Sequence, residues 1–236
     1  MLKKTKSEFN RLAISISFLF ITSVTAQGVE VNTVKGDVKY LSGTSETWIE
    51  VNKGQALQMD GYISTGKNSS IQVTHSGNVI TIGELSAVSI SSIKKMTNDE
   101  LLLALAMEDM INAPKSNGKS NSGNTAVYGE KEGKEKSTDL YANDFGIKRL
   151  NGAKQLAENG LKESGIIFAK ETYRKYPETK QLASYRIYFA DILFEKSLYT
   201  EALGEYLEIQ KLDLNTEQSA KVEVQINHIN KILLNN

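Results

Sequence analysis

Side chains that could bind a metal or transfer a proton are few in this 236-residue chain. Histidine occurs only at His75 and His228, and neither has a Cys, another His or a close carboxylate at the spacing of metal ligands. Cysteine is absent. We therefore expect no metal and no cofactor, with His75 in a strand near a hairpin and His228 on a helix surface.

The motifs of common catalytic centres are also missing from the sequence. It contains no Gly-x-Ser-x-Gly, no phosphate-binding loop and no apolar segment with two converging carboxylates. Glu46, Glu50 and Asp60 are acids of the N-terminal half, but acids at strand ends are usually only solvated. The sequence predicts a non-catalytic protein, without catalytic residues.

The first residues are typical of a secretory signal peptide. A basic segment precedes a short apolar run at 12–21, and Val24-Thr25-Ala26 supplies small residues before Gln27. The run is about ten residues, whereas a membrane-spanning helix needs about twenty, so we expect cleavage after Ala26 and no transmembrane span afterwards. The protein is predicted to be exported, to a periplasm first, with the cell surface or secretion as alternatives.

Charge restricts the class of partner. The full chain has 28 basic and 28 acidic residues, and residues 1–26 carry four of the former and one of the latter. The mature chain is therefore acidic by about three charges, without the concentrated positive field that nucleic acids or anionic membranes attract. We expect protein partners and no nucleic acid. The absence of disulfides means that the folded parts depend on hydrophobic burial.

Composition divides the mature chain into two predicted domains, 28–111 and 147–236. The intervening segment, 112–146, is rich in Asn, Gly, Ser, Lys and Glu, and Val127-Tyr128 is an apolar pair inside it. Such a segment has too little apolar surface to offset its ordering entropy and is predicted to be a flexible linker. We expect the two domains to move relative to each other.

Between Val29 and Ile93 the apolar residues alternate in short runs separated by glycines, which predicts six to eight antiparallel strands in a small sandwich or roll. The segment also resembles a known family. Gly36-Asp37-Val38, Gly54-Gln55-Ala56-Leu57 and Ile63-Ser64-Thr65-Gly66, with the hairpin from Gly77 to Ile90, are similar to the FecR-type periplasmic domain. The resemblance spans about 29–93, although Asp60-Gly61 and Ser76-Gly77 depart from the usual residues.

The FecR-like resemblance implies an exported β-domain that contacts other proteins or the envelope. FecR itself has a cytoplasmic regulatory segment and relays a signal to a sigma factor. The predicted leader leaves no such cytoplasmic portion here, so the resemblance does not carry sigma-factor regulation to this chain.

A helix is predicted after the β-domain, capped by Thr97 or Asn98 and continuing to Ile111. Four large apolar residues recur on one face at three- and four-residue spacing: Leu103, Met107, Met110 and Ile111. The favoured interpretation is that this face packs on the β-domain. Docking of a partner on the helix is the alternative.

The last ninety residues have helical periodicity and an internal repeat. Three core-type residues recur thirty-three positions later, pairing Ala157, Ala169 and Tyr173 with Ala190, Ala202 and Tyr206. This spacing is typical of helical hairpins and resembles the tetratricopeptide repeat over about 149–234. The predicted units are 150–177 and 185–212, followed by one closing helix capped at Thr216. Two units are few for a solenoid, so we expect self-association or docking on the β-domain.

Three residues are candidates for partner contact. The tetratricopeptide-like resemblance implies that Asp191 and Phe194 lie on the ligand-facing side of a repeat, although ordinary packing is the favoured interpretation of both. Trp48, the single Trp, could stack on a sugar if exposed, but burial as a core anchor is favoured.

The predicted function is a protein-interaction adaptor or scaffold of the bacterial envelope, in which the two domains bind different proteins. The alternative is a structural protein that binds a cell-wall polymer and self-associates through its helical repeats. The overall prediction is an α+β protein with an all-β N-terminal domain and an α-helical C-terminal domain.

Overall fold

The computed structural model describes residues 28–112 and 136–235, with side chains at 28–111 and 144–235. Within these ranges eight strands are followed by six α-helices, which confirms the predicted α+β class. The predicted signal peptide and the greater part of the predicted linker, including Val127-Tyr128, lie outside the described residues.

The N-terminal half forms two antiparallel four-stranded sheets that share one apolar core. The strands are β1 (Val29–Lys35), β2 (Val38–Leu41), β3 (Ile49–Glu50), β4 (Ala56–Leu57), β5 (Tyr62–Thr65), β6 (Ser70–His75), β7 (Asn78–Ile82) and β8 (Ala87–Ser89). Their orders are β4-β1-β6-β7 and β3-β2-β5-β8. Alternate residues are buried, as in β6, where Ile71 and Val73 face the core.

The β6–β7 hairpin has a two-residue turn at Ser76-Gly77. Both residues have positive φ, 48° at Ser76 and 76° at Gly77. Two positive values match the turn that fits the right-handed twist of paired strands. Gly77 tolerates this conformation freely, and Ser76 adopts it in the position where the FecR-like pattern often has Asp.

The helices are α1 (Asn98–Asn112), α2 (Lys136–Glu158), α3 (Lys162–Lys175), α4 (Ala183–Glu195), α5 (Tyr199–Ile209) and α6 (Thr216–Leu234). Two hairpins, α2–α3 and α4–α5, precede the closing helix, as the repeat predicted. All six repeated residues are buried, from Ala157 to Tyr206. Two boundaries differ: α2 begins at Lys136, inside the predicted linker, and the cap of α6 is Asn215, which forms a capping box with Gln218.

The two halves pack directly on each other, which corresponds to the expected docking of the helices on the β-domain and differs from the expectation that the halves move relative to each other. One face of α2 lies along β7 and β8. Asn159 pairs with both backbone groups of Thr81, accepting from its N–H at 3.0 Å and donating to its carbonyl at 2.9 Å. Asn151 donates to the Leu85 carbonyl at 2.7 Å. Because β7 is an edge strand, Asn159 satisfies backbone groups of Thr81 that no neighbouring strand reaches.

Close backbone contact accompanies these hydrogen bonds. A Cβ built at Gly152 would overlap the carbonyl oxygen of Ala87, so only glycine allows α2 to approach β8 this closely. Composition identified the polar segment before α2, but it could not reveal that α2 has a face complementary to a strand edge. The result is one continuous core that joins the sandwich to the helices.

Candidate partner-binding surface

The most exposed apolar surface of the described residues is one side of α1. Leu103 is 64% exposed, Met107 55%, Met110 77% and Ile111 59%. These four residues were predicted to share one face of the helix. They do share a face, and it points to solvent. The favoured prediction that this face packs on the β-domain is wrong. We call it the α1 outer face.

The buried side of α1 is a second apolar stripe. Leu101 is fully buried and Leu105 nearly so, and α1 packs chiefly on α3. Glu108 continues this side and accepts a hydrogen bond from Arg174 Nε at 2.9 Å. Both stripes have helical spacing, so periodicity alone could not show which one faces the protein.

Capping fixes where α1 begins. The Thr97 hydroxyl accepts from the Glu100 N–H, and the Glu100 carboxylate accepts from the Thr97 N–H at 2.7 Å. This reciprocal pair is a capping box, which confirms Thr97 as the predicted cap. The backbone and hydroxyl hydrogen bonds from Thr97 hold the pKa of Glu100 below its ordinary value, with a smaller contribution from Lys94.

Trp48 is half-buried at the boundary between the halves, so it is neither the core anchor that was favoured nor a free platform. Its ring packs edge-on against Phe145 of α2, with 5.9 Å between ring centroids. Both rings line a cleft of about 160 Å³. The charged residues of this cleft are Asp37, Lys39, Asp144 and Lys148.

Asp191 and Phe194 both lie on α4, but their described contacts are within the helical half. Asp191 accepts from the Tyr206 hydroxyl and from Lys221, each at 2.6 Å. Burial and the hydrogen bond to Asp191 raise the pKa of Tyr206, so its hydroxyl stays a donor. Phe194 packs against Tyr199 and His228. Asp191 and Phe194 therefore make contacts within the helical half, and the structure does not bring them together with Trp48.

The helical half also contains buried charges that were not predicted from the sequence. Arg149 is 1% exposed; its Nε donates to Thr172 at 3.2 Å and its guanidinium lies 4.4 Å from the centre of the Phe168 ring. Glu205 pairs with Lys170 and Arg186. Burial alone would raise the pKa of Glu205, but the two cations hold it below its ordinary value. These partners come from different helices, and no local sequence signal marks such pairs.

His75 and His228 lie in different halves, as the sequence indicated. His75 is in β6 beside the hairpin, and its Nδ1 is buried without a hydrogen-bond partner. His228 is exposed on α6. Among the described residues, no three His, Asp or Glu side chains cluster closely enough to hold a metal, and no helix in the described ranges is long and apolar enough to cross a membrane.

Comparisons with known proteins found no match for this chain. No protein-family model matches it, and neither a curated protein nor a solved structure does. The FecR-like and tetratricopeptide-like resemblances therefore stay predictions that depend on the residues quoted for them.

Proposed function

We propose that this protein is an exported, non-catalytic binding protein of the bacterial envelope, and that its principal partner is another protein. The observation that carries the proposal is the α1 outer face. Large exposed apolar surfaces are uncommon on monomeric proteins and usually mark interaction sites.

The composition of this face suits protein recognition. Two of its four residues are methionines, whose flexible thioether side chains adapt to different partner surfaces. Leu103, Met107 and Met110 follow one another at helical spacing, so a partner helix or sheet could bury them together. The face is also rigidly mounted, because Leu101 anchors the opposite side of α1 in the core.

The proposed adaptor differs in one respect from the adaptor predicted from the sequence, namely the separation of its two halves. The described residues of the two halves form direct contacts through α2, so we propose that they present their surfaces at a fixed separation. The FecR-like half and the tetratricopeptide-like half then act as one scaffold, with α1 as the exposed element between them.

Site-specific photo-crosslinking in intact cells tests this proposal. A photoreactive residue at Leu103 should capture a specific envelope protein, identified by mass spectrometry of the adduct. Val224 is the matched control, since it is also helical and 65% exposed, and it should capture no such protein.

The captured protein must then bind the purified chain. Leu103→Glu with Met107→Glu should weaken that binding at least about tenfold, whereas Val224→Glu should leave it unchanged. Equal capture from Leu103 and Val224, or binding that is indifferent to the double substitution, would contradict the proposal. An adduct between two copies of this chain would support self-association in its place.

A second candidate function, binding of a cell-wall polymer, is favoured by the Trp48 cleft. Sugars bind where an aromatic ring is flanked by polar side chains that fix the hydroxyl groups. The cleft combines Trp48 and Phe145 with two carboxylates and two amines. The cleft lies between the sandwich and α2, so binding of a polymer there would require both halves to be folded and packed together.

Sedimentation with purified cell-wall sacculi tests this candidate. Trp48→Ala should abolish co-sedimentation, and Ile49→Ala should not, because Ile49 is the adjacent residue and is 50% exposed. Retention of the Trp48→Ala variant by the sacculi would remove the cleft as the glycan site.

A further inference from the structure

A groove of about 230 Å³ lies at one side of the α1 outer face. Lys94, Lys95 and Met96 line it from the segment before α1, and Leu103 and Met107 line it from the helix. Pockets for small molecules are usually larger, at about 300 Å³ or more. The groove therefore suits one large apolar side chain of a partner that lies on the α1 outer face, rather than a separate small ligand.

The apolar wall of this groove is accessible to a partner. Leu103 is 64% exposed and Met107 is 55% exposed, and Met96 is half-buried beside them. Removal of such surface from water favours association roughly in proportion to the apolar area covered. The effect has no direction and does not by itself distinguish one apolar partner from another.

The two lysines add a charged rim that does distinguish partners. Lys94 and Lys95 are exposed, and neither forms an ion pair among the described residues. The acid that lines the groove in the described part of the chain is Glu100, which accepts hydrogen bonds from the Thr97 N–H and hydroxyl at 2.7 and 3.1 Å. Because that carboxylate is engaged in the cap of α1, the two amines remain available to a negative charge on the partner.

The opposite flank of the α1 outer face has a different charge. Asp99 is exposed and precedes Leu103 by about one turn, but it does not line the groove. At 3.6 residues per turn it lies on the side of Leu103 away from Ala104, which is a groove residue. A flat anionic surface would meet Asp99 together with the lysines, whereas a partner helix can direct its acids to the groove side alone.

We propose that the α1 outer face binds an amphipathic helix of the partner protein, with one apolar side chain in the groove and an acidic flank facing Lys94 and Lys95. Leu103, Met107 and Met110 repeat at spacings of four and three, the pattern of a helix surface that packs against a second helix. Charge pairs at the rim of such a contact govern the choice of partner more than the affinity. This inference rests on the proposed function and adds the chemistry of the partner segment to it.

Binding of three synthetic helices to the purified full chain tests the inference. Each peptide has about eighteen residues, so that it can be helical, and carries leucines at the same spacings of four and three with glutamates, glutamines or lysines on one flank. In fluorescence anisotropy at low ionic strength, the glutamate peptide should bind at least about fivefold more tightly than the glutamine peptide, and the lysine peptide most weakly. The full chain has no net charge, so a general attraction would not produce this order. The advantage of the glutamate peptide should fall as salt is added, because exposed charges are screened.

Charge reversal assigns the effect to the groove. Lys94→Glu with Lys95→Glu should reverse the order, so that the lysine peptide binds most tightly. Lys53→Glu with Lys231→Glu makes the same change in net charge at two exposed lysines outside the groove, and it should leave the order unchanged. Equal binding of the three peptides, or an order that Lys94→Glu with Lys95→Glu does not alter, would overturn the inference.

The photo-crosslinking at Leu103 distinguishes this inference from the proposed function. If Leu103 captures an envelope protein through a segment that is not an acidic helix, the proposed function stands and the inference fails. If Leu103 captures no more than Val224 does, the proposed function itself fails. Dimerisation of the chain that Leu103→Glu abolishes, or binding of phosphatidylglycerol vesicles in preference to the glutamate peptide, would assign the α1 outer face to another occupant and overturn the inference.

Discussion

The two helices on either side of residues 113–135 each have a second face beside the one in the core, and the two second faces differ in polarity and in contacts. α1 presents an apolar face to solvent, whereas α2 turns a polar face, with Asn151, Gln155 and Asn159, onto the sandwich. Each helix also buries apolar residues, Leu101 in α1 and Leu156 in α2 among them, so these two faces lie beside the core and do not replace it. The comparison shows that available partners, as well as polarity, decide which faces of a helix make contacts.

The reason for each of these second faces is local. Edge strand β7 offers unpaired N–H and C=O groups, so amide side chains on α2 gain hydrogen bonds where they pack. On α1 the space against α3 is filled by the stripe that begins with Leu101, so the second apolar stripe has no remaining surface within the described chain. The buried face of α1 therefore contributes to the stability of the fold, and the exposed face is the proposed binding surface.

The first prediction separates the two faces of α1 and has the largest expected effect. Leu101→Ala should lower the free energy of unfolding by about 3 kcal/mol, because it leaves a cavity in the core. Leu103→Ala should change it by no more than about 0.5 kcal/mol, because that side chain is exposed. Urea denaturation measures both. Similar losses for the two variants would mean that the outer face is covered in the native protein.

The second prediction addresses the contact between α2 and β8. Gly152→Ala should lower the free energy of unfolding by about 2 kcal/mol, because the new Cβ overlaps a backbone carbonyl that cannot rotate away. Gly204→Ala in α5 is the control, since its Cβ would meet open space. It should raise stability by about 0.5–1 kcal/mol through helix propensity. A neutral Gly152→Ala would show that the halves are not packed as described.

The third prediction tests the polar face of α2. Asn159→Ala should cost about 1–2 kcal/mol, since it removes both hydrogen bonds to Thr81 and leaves edge backbone groups without those partners. Amide hydrogen exchange of Thr81 should become faster at the same time. Asn230→Ala, an exposed change on α6, should alter neither quantity appreciably.

The fourth prediction is the smallest and concerns the start of α1. Thr97→Ala should cost about 1 kcal/mol near neutral pH through loss of the cap. The folded-state pKa of Glu100 is lowered, so its stabilising contribution is present above the unfolded value of about 4.3 and is lost as the pH falls through the folded value. The difference between wild type and Thr97→Ala should accordingly shrink in acid. A difference that is constant down to pH 2 would argue against the Thr97–Glu100 pair.

Much of the local structure was predictable from the sequence. Alternating residues such as those of β6 indicated strands because side chains of a strand point to opposite faces, and the alanine and tyrosine repeat indicated helical hairpins. The Thr97 cap was predictable because it depends on neighbouring residues. The candidate sites were less predictable. Trp48 was identified by its residue type, and Asp191 and Phe194 by the tetratricopeptide-like resemblance, yet the surroundings of all three depend on elements distant in the chain.

The sequence by itself determined the class of the fold, the order of its strands and helices, and the residues that repeat in its helical core, because these follow from periodicity and near-neighbour chemistry. Only the tertiary structure decided which stripe of α1 faces outward, that α2 closes against the edge of the sandwich, and that Trp48 and Phe145 line one cleft. Each of these depends on shape complementarity between segments far apart in the chain, and no local pattern encodes it.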